Sequence, residues 1–118
     1  MSGFYSAKSE QEVSDFIFEN FNKSSPLEIV GYNSKKIGRI IQSSQTLSLG
    51  SMSGILEYFP EELYIKVLPG TSVEEIETEL RKKNQFLGFE PNDLGYIYSG
   101  KSNPGSIGGV VSCNLSGP

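Results

Sequence analysis

The sequence predicts an α+β domain in which two helices flank a small mixed sheet. Two stretches have the apolar spacing of amphipathic helices, and the segments between them are short, rich in branched or aromatic residues and bounded by turn residues. A third observation is the enrichment of residues 91–118 in Gly, Ser and Pro, which leaves no amphipathic element of useful length there. A chain of 118 residues has room for one compact domain.

The first helix is predicted to begin at Ser9. Ser9 and Glu12 have the spacing of a capping box, in which a hydroxyl and a carboxylate each satisfy a free backbone amide at a helix start. Pro26 disfavours a helical conformation at the preceding residue and ends the helix. Apolar residues at intervals of three and four predict one buried face, formed by Val13, Phe16, Ile17 and Phe21.

The second helix is predicted to follow a cap at Thr71 or Ser72, again with a carboxylate three residues later. Its acidic residues come first and its basic residues last, which complements the helix dipole. The predicted buried stripe consists of Val73, Ile76 and Leu80.

Short strands are predicted at residues 27–30, 39–42, 46–49, 55–59 and 63–68. The last of these is partly apolar on both sides, so it is predicted to lie inside the sheet and not at its edge.

Composition excludes several classes of function. The net charge of -4 disfavours nucleic-acid binding. Histidine is absent, which removes imidazole as a base, a metal ligand or a covalent cofactor anchor, so no metal is predicted.

The single cysteine, Cys113, cannot form an intramolecular disulfide and is interpreted as a buried small residue of a protein in a reducing compartment. No long apolar run or secretory leader is visible, which predicts a cytoplasmic protein without a membrane span.

A basic loop follows the first predicted strand, at residues 31–36, and is called the first loop below. A glycine leaving a strand lets backbone amides converge on an anion, and Asn33 and Ser34 can add side-chain donors. Lys35, Lys36 and Arg39 place three positive charges within five residues, an arrangement that suits a diphosphate. The alternative is a solvated surface loop, since the spacings of the common phosphate-binding and dinucleotide-binding glycine motifs are missing.

A glycine-rich stretch at residues 103–114, called the second loop below, is the other candidate. Gly108 and Gly109 allow the backbone to pass close to a flat or charged ligand, and Ser112 and Asn114 offer polar groups. The alternative is a flexible linker, although three apolar residues argue against a solvated one: Ile107, Val110 and Val111.

The order of these pieces resembles the FAD-binding E subunit of bacterial glycolate oxidase, from about residue 10 to the end of the chain. The resemblance is carried by residues 26–31, 33–35, 54–58, 70–71, 89–91, 108–113 and 116–118. It implies the FAD-binding domain of vanillyl-alcohol oxidase and p-cresol methylhydroxylase relatives, in which two α+β subdomains hold an extended FAD. Residues 1–90 would form the first subdomain, and residues 91–118 would begin an incomplete second one.

The resemblance also implies which residues contact a noncovalent FAD. In the first loop they are Gly31, Tyr32, Asn33, Ser34 and Lys35, where Tyr32 is larger than the residue usual at its position. In the second loop they are Gly108, Gly109, Ser112 and Cys113. No catalytic residue is assigned, because the substrate-facing part of the family lies outside this chain.

The resemblance implies a flavin-dependent oxidoreductase acting on 2-hydroxy acids. Members of the family continue well beyond the length of this chain, so a truncated gene, a split gene or a shortened product is expected. The expected partners are other subunits of a glycolate-oxidase-like complex or a separately encoded C-terminal half, and any membrane association would be made through such subunits. The alternative function is a non-catalytic interaction module that has kept the scaffold and lost the flavin.

Overall fold

A three-stranded parallel sheet covered by one helix forms the first half of the structure, a computed structural model that describes residues 3–35 and 38–117. Strand β3 (Gln45–Ser48) lies between β1 (Gly3–Ser6) and β2 (Leu27–Val30) and is parallel to both. Helix α1 (Glu10–Asn22) connects β1 to β2. The sequence analysis missed β1. This strand lies in a polar segment, although it contains Phe4 and Tyr5, which are good strand formers.

The core lies between this sheet and α1. Leu47 in the central strand is fully buried, together with Ala7 and Met52. The rings of Tyr5 and Phe16 stack beside this cluster at 4.6 Å between centroids. The central strand is therefore the element around which the first half packs.

The predicted cap of α1 is confirmed, but its buried face differs from the prediction. The Ser9 hydroxyl accepts a hydrogen bond from the Glu12 amide at 3.2 Å. Val13 and Phe16 pack against the core, whereas Ile17 and Phe21 are exposed. Asn20, one turn after Phe16, is buried as well, so the buried face runs through Val13, Phe16 and Asn20, and Ile17 and Phe21 lie beside it.

A separate antiparallel hairpin follows, formed by β4 (Ile55–Phe59) and β5 (Tyr64–Val67) around a 3₁₀ turn at Pro60–Glu62. The prediction of a strand inside a larger sheet is wrong here, because within the described residues β5 pairs with β4 alone and exposes Tyr64 and Lys66.

The predicted strand at residues 39–42 is also wrong. That stretch is irregular, and the described part of the chain provides no strand to pair with it, so Ile40 is 94% exposed.

Helix α2 (Val73–Arg81) matches its prediction. Ser72 is the N-cap and its hydroxyl accepts a hydrogen bond from the Glu75 amide at 3.0 Å. The predicted stripe of Val73, Ile76 and Leu80 is buried.

The C-terminal part is more regular than its composition suggests. It contains β6 (Glu90–Pro91), α3 (Gly95–Ser99), α4 (Ile107–Ser112) and β7 (Ser116–Gly117), and β6 pairs with β7. Helix α4 packs on the start of α2 through two bonds, from Ile107 N–H to the Thr71 carbonyl and from Gly108 N–H to the Pro69 carbonyl, each 2.9 Å. These contacts order a stretch of local sequence that has little helix propensity of its own.

The α+β class is confirmed, with parallel and antiparallel strand pairs in separate sheets. Among residues 3–35 and 38–117, no helix has both the length and the apolar character needed to cross a bilayer.

Candidate functional site

A cavity of about 540 Å³ lies between the first loop and α4. This volume is within the range of about 300–1,000 Å³ that is usual for small-molecule sites. The cavity is lined by residues from both loops that the sequence analysis selected, which the fold brings together: Gly31, Tyr32, Asn33, Ser34, Lys35, Gly108, Gly109, Ser112 and Cys113.

The two loops can approach each other because residue 31 is a glycine. A Cβ atom at Gly31 would lie 2.6 Å from the hydroxyl oxygen of Ser106, which caps α4. The loop then bends at Asn33, whose φ of 52° is in the left-handed region that Asn tolerates. A larger residue at position 31 would displace the Ser106 hydroxyl, which caps α4, or separate the first loop from this helix.

The first loop has backbone amides without a hydrogen-bond acceptor among the described residues. The amides of residues 32–35 donate no hydrogen bond to any residue within the ranges 3–35 and 38–117. A bend with free amides is the kind of backbone concavity that binds anions.

Tyr32 anchors the first loop to the turn before α2. Its hydroxyl donates a hydrogen bond to the Gly70 carbonyl, and its ring lies against the backbone at Gly50. Burial raises the pKa of the Tyr32 hydroxyl, and the charge of Glu75 adds to this effect. The hydroxyl is therefore a stable donor at neutral pH, and the ring holds the loop in place.

Lys35 joins the first loop to the second. Its ammonium group donates hydrogen bonds to the carbonyls of Pro104 at 3.2 Å and Asn103 at 3.4 Å. An ammonium group has three N–H donors, so these two bonds leave one N–H that no described residue accepts, and Lys35 is itself a lining residue of the cavity. Lys36, the other lysine of the predicted loop, lies outside the described residues.

Gly108 and Gly109 of the second loop contribute to packing, and their amides are engaged within the protein. Gly108 donates to the Pro69 carbonyl, and Gly109 donates to the Ser106 hydroxyl at 3.3 Å. A Cβ atom at Gly108 would lie 2.8 Å from both the Cβ and the carbonyl oxygen of Pro69. The part of the second loop that contains Gly108 and Gly109 therefore forms a wall of the cavity.

Ser112 and Cys113 lie on the cavity wall at the end of α4. The interpretation of Cys113 as a buried residue is wrong, because its thiol is free and exposed. Val110 fills the buried side of this short helix instead, which leaves its last residues facing outward.

Ser106 and Thr71 are structural residues of the site that the sequence analysis did not select. Ser106 is buried and caps α4. Thr71 is fully buried, and its hydroxyl donates to the Leu68 carbonyl at 2.7 Å and accepts from the Gly54 amide at 2.9 Å. A signal for Ser106 was present, since a serine directly before an apolar run is typical of a helix start.

The cavity combines polar donors at one side with apolar walls. Lys35 is the basic residue of the described lining and Glu28 is its acidic residue, while the apolar surface comes from Val30, Leu49, Pro69, Val110 and Leu115. In the described part of the chain, no cluster of three or more Asp, Glu, Cys or His residues could hold a metal ion. Such a site suits an organic anion with a flat apolar part.

The family model of the FAD binding domain matches residues 1–118. The chain belongs to this family. This FAD-binding domain is also 35% identical over 114 residues to glycolate oxidase subunit GlcE of Escherichia coli (strain K12), a match that covers 92% of this chain and 30% of that protein. The chain thus spans less than a third of the length of the curated relative. No solved structure matches it.

The resemblance found in the sequence is confirmed, and the cofactor of the family is FAD. The residues of this FAD-binding domain fit that cofactor. Free amides and an ammonium N–H suit its diphosphate, and the apolar walls suit the groups on either side.

Proposed function

We propose that this domain holds the diphosphate of a noncovalent FAD between the first loop and α4, as part of a flavin-dependent oxidoreductase. One observation carries the proposal: two loops far apart in the chain, each selected for a ligand-binding pattern, line a single cavity. A chain without histidine lacks one common covalent anchor for a flavin, which agrees with noncovalent binding.

The residues of the cavity have different roles in binding the cofactor. The amides of residues 32–35 and the third N–H of Lys35 donate to the phosphate oxygens, and charge-assisted bonds of this kind are the stronger class. Gly31 allows the first loop to approach α4, Gly108 allows α4 to lie against Pro69, and Ser112 and Cys113 contact the cofactor from the opposite wall. When bound, the flavin ring supplies the hydride-accepting chemistry.

The proposed substrate is a 2-hydroxy acid, since the relative that is 35% identical to this chain is a subunit of glycolate oxidase. We also propose that residues 1–90 are the first subdomain and 91–118 the start of the second, and that other subunits or a separately encoded C-terminal half complete the domain in the cytoplasm. Several large apolar side chains are more than half exposed, which supports the proposal that the surface of another protein segment or subunit covers them. They are Phe4, Phe18, Phe21, Ile29, Leu63 and Phe86.

Titration of the purified chain with FAD tests this function. We expect saturable binding, a visible flavin spectrum that stays with the protein on gel filtration, and stabilisation against unfolding of about 2.7 kcal/mol at a hundredfold excess over Kd. Riboflavin, which has the same ring without the diphosphate, is the matched control and should bind far more weakly. A folded chain that binds neither compound would support the alternative, an interaction module without flavin. Equal binding of the two would contradict the diphosphate site.

A further inference from the structure

Asp93 closes a loop that lies outside the cavity. Its carboxylate accepts hydrogen bonds from the amides of Gly95 and Asn103, each at 2.9 Å, and from the Ser102 hydroxyl at 2.6 Å. These bonds connect the start of α3 to the residues that follow it. Asp93 thereby fixes the backbone at the point where the second loop begins.

The packing at Gly95 makes this closure tight. Gly95 is buried, and a Cβ atom there would lie 2.4 Å from the Asn103 nitrogen and 2.6 Å from the Lys101 carbonyl oxygen. The two ends of the loop are therefore in direct contact, and the Ser99 hydroxyl adds a bond to the Gly95 carbonyl at 3.0 Å.

Asn103 links Asp93 to the cavity. Its amide is held by Asp93, while its carbonyl, with that of Pro104, accepts the hydrogen bonds of the Lys35 ammonium. Lys35 lines the cavity and Asp93 does not. The position of the Lys35 charge thus depends on carbonyls whose own position depends on Asp93.

The attraction between the charges of Asp93 and Lys35 favours the same arrangement. Hydrogen bonds from Ser102 and Asn103 hold the pKa of Asp93 below its ordinary value, and the nearby charge of Lys35 contributes to the same effect. The carboxylate is therefore ionised at neutral pH, and it attracts the Lys35 ammonium toward the second loop.

We propose that Asp93 is a positioning residue for FAD, which fixes the carbonyls of Asn103 and Pro104 and so orients the remaining Lys35 N–H toward the cofactor diphosphate. This inference rests on the proposed function and assigns to it a residue that does not touch the cavity.

The test begins with Asp93→Asn, which keeps the shape of the side chain and removes its charge. We expect the Kd for FAD to rise about tenfold, within the span of coupling energies for residues of one hydrogen-bond network. Asp93→Glu, which keeps the carboxylate, should recover part of the affinity. Glu90→Gln removes an exposed charge three residues away and should leave FAD binding unchanged.

A double-mutant cycle with Lys35→Met separates positioning from general stabilisation. If Asp93 acts through Lys35, adding Asp93→Asn to Lys35→Met should cause no further loss of FAD affinity. Hydrogen exchange without FAD gives an independent readout: the Asn103 amide should exchange faster in Asp93→Asn, while the Leu47 amide in the central strand should not change.

Each result decides between the two proposals. A wild-type chain that does not bind FAD overturns the proposed function, and this inference with it. If the wild-type chain binds FAD, equal affinity in Asp93→Asn or additive losses in the cycle overturn the role of Asp93 alone. Global unfolding of Asp93→Asn, seen by circular dichroism, would also overturn it, because Asp93 would then support the whole fold.

Discussion

Replacing Lys35 with Glu is expected to abolish measurable FAD binding while leaving the helical content intact. The substitution removes the only described cation of the first loop and puts a carboxylate beside the Asn103 and Pro104 carbonyls and the cofactor diphosphate. Juxtaposed like charges cost several kcal/mol, so we expect the Kd to rise by at least about a hundredfold. Isothermal titration with FAD measures the loss, and far-UV circular dichroism monitors the helices.

The matched control is Lys66→Glu. Lys66 is exposed on β5 and lies 3.9 Å from Glu57, away from the cavity lining, so its reversal changes net charge equally without touching the site. FAD affinity should fall little in this variant. The same loss in both variants would indicate a nonspecific effect of charge, and an unchanged affinity in Lys35→Glu would remove the first loop from the site.

Gly108→Ala is expected to destabilise the fold and weaken FAD binding together. The added methyl group would lie 2.8 Å from two atoms of Pro69, a distance that requires α4 to move away from the turn before α2. Overpacking of this kind typically costs about 1–3 kcal/mol. Because α4 is one wall of the cavity, its displacement should also widen the site. Urea unfolding and FAD titration measure the two effects.

Gly109→Ala is the control within the same helix. Its new methyl group would lie 3.3 Å from a single side-chain atom, the Ser106 hydroxyl oxygen, and alanine favours the helix more than glycine does. We expect this variant to be clearly more stable than Gly108→Ala. Equal stabilities would show that the contact with Pro69 does not restrict residue 108.

Local rules were enough to predict the two long helices. Ser9 and Ser72 cap them as expected, because a cap depends on residues only three positions apart. The two loops proposed to bind the cofactor were also selected from local features, namely glycines beside polar or basic residues. Their meeting in one cavity followed from the family resemblance, since no local pattern of either loop refers to the other.

Long-range contacts account for what the sequence did not predict. The buried face of α1 runs through Val13, Phe16 and the polar Asn20 and therefore excludes Ile17. The single pairing of β5 depends on the absence of a neighbouring strand among the described residues. Helix α4 forms in a glycine-rich stretch because distant carbonyls accept its first amides. The contacts of Lys35 with the second loop join residues almost 70 positions apart in sequence.

Amide chemical shifts of the ¹⁵N-labelled chain, recorded as FAD is added, test the central claim most directly. If the first loop and α4 hold the diphosphate, the largest changes should occur at the free amides of residues 32–35, with smaller changes at Ser112 and Cys113. Riboflavin should leave the amides of residues 32–35 unchanged. Changes confined to the β4–β5 hairpin, with residues 32–35 unaffected by saturating FAD, would contradict the account.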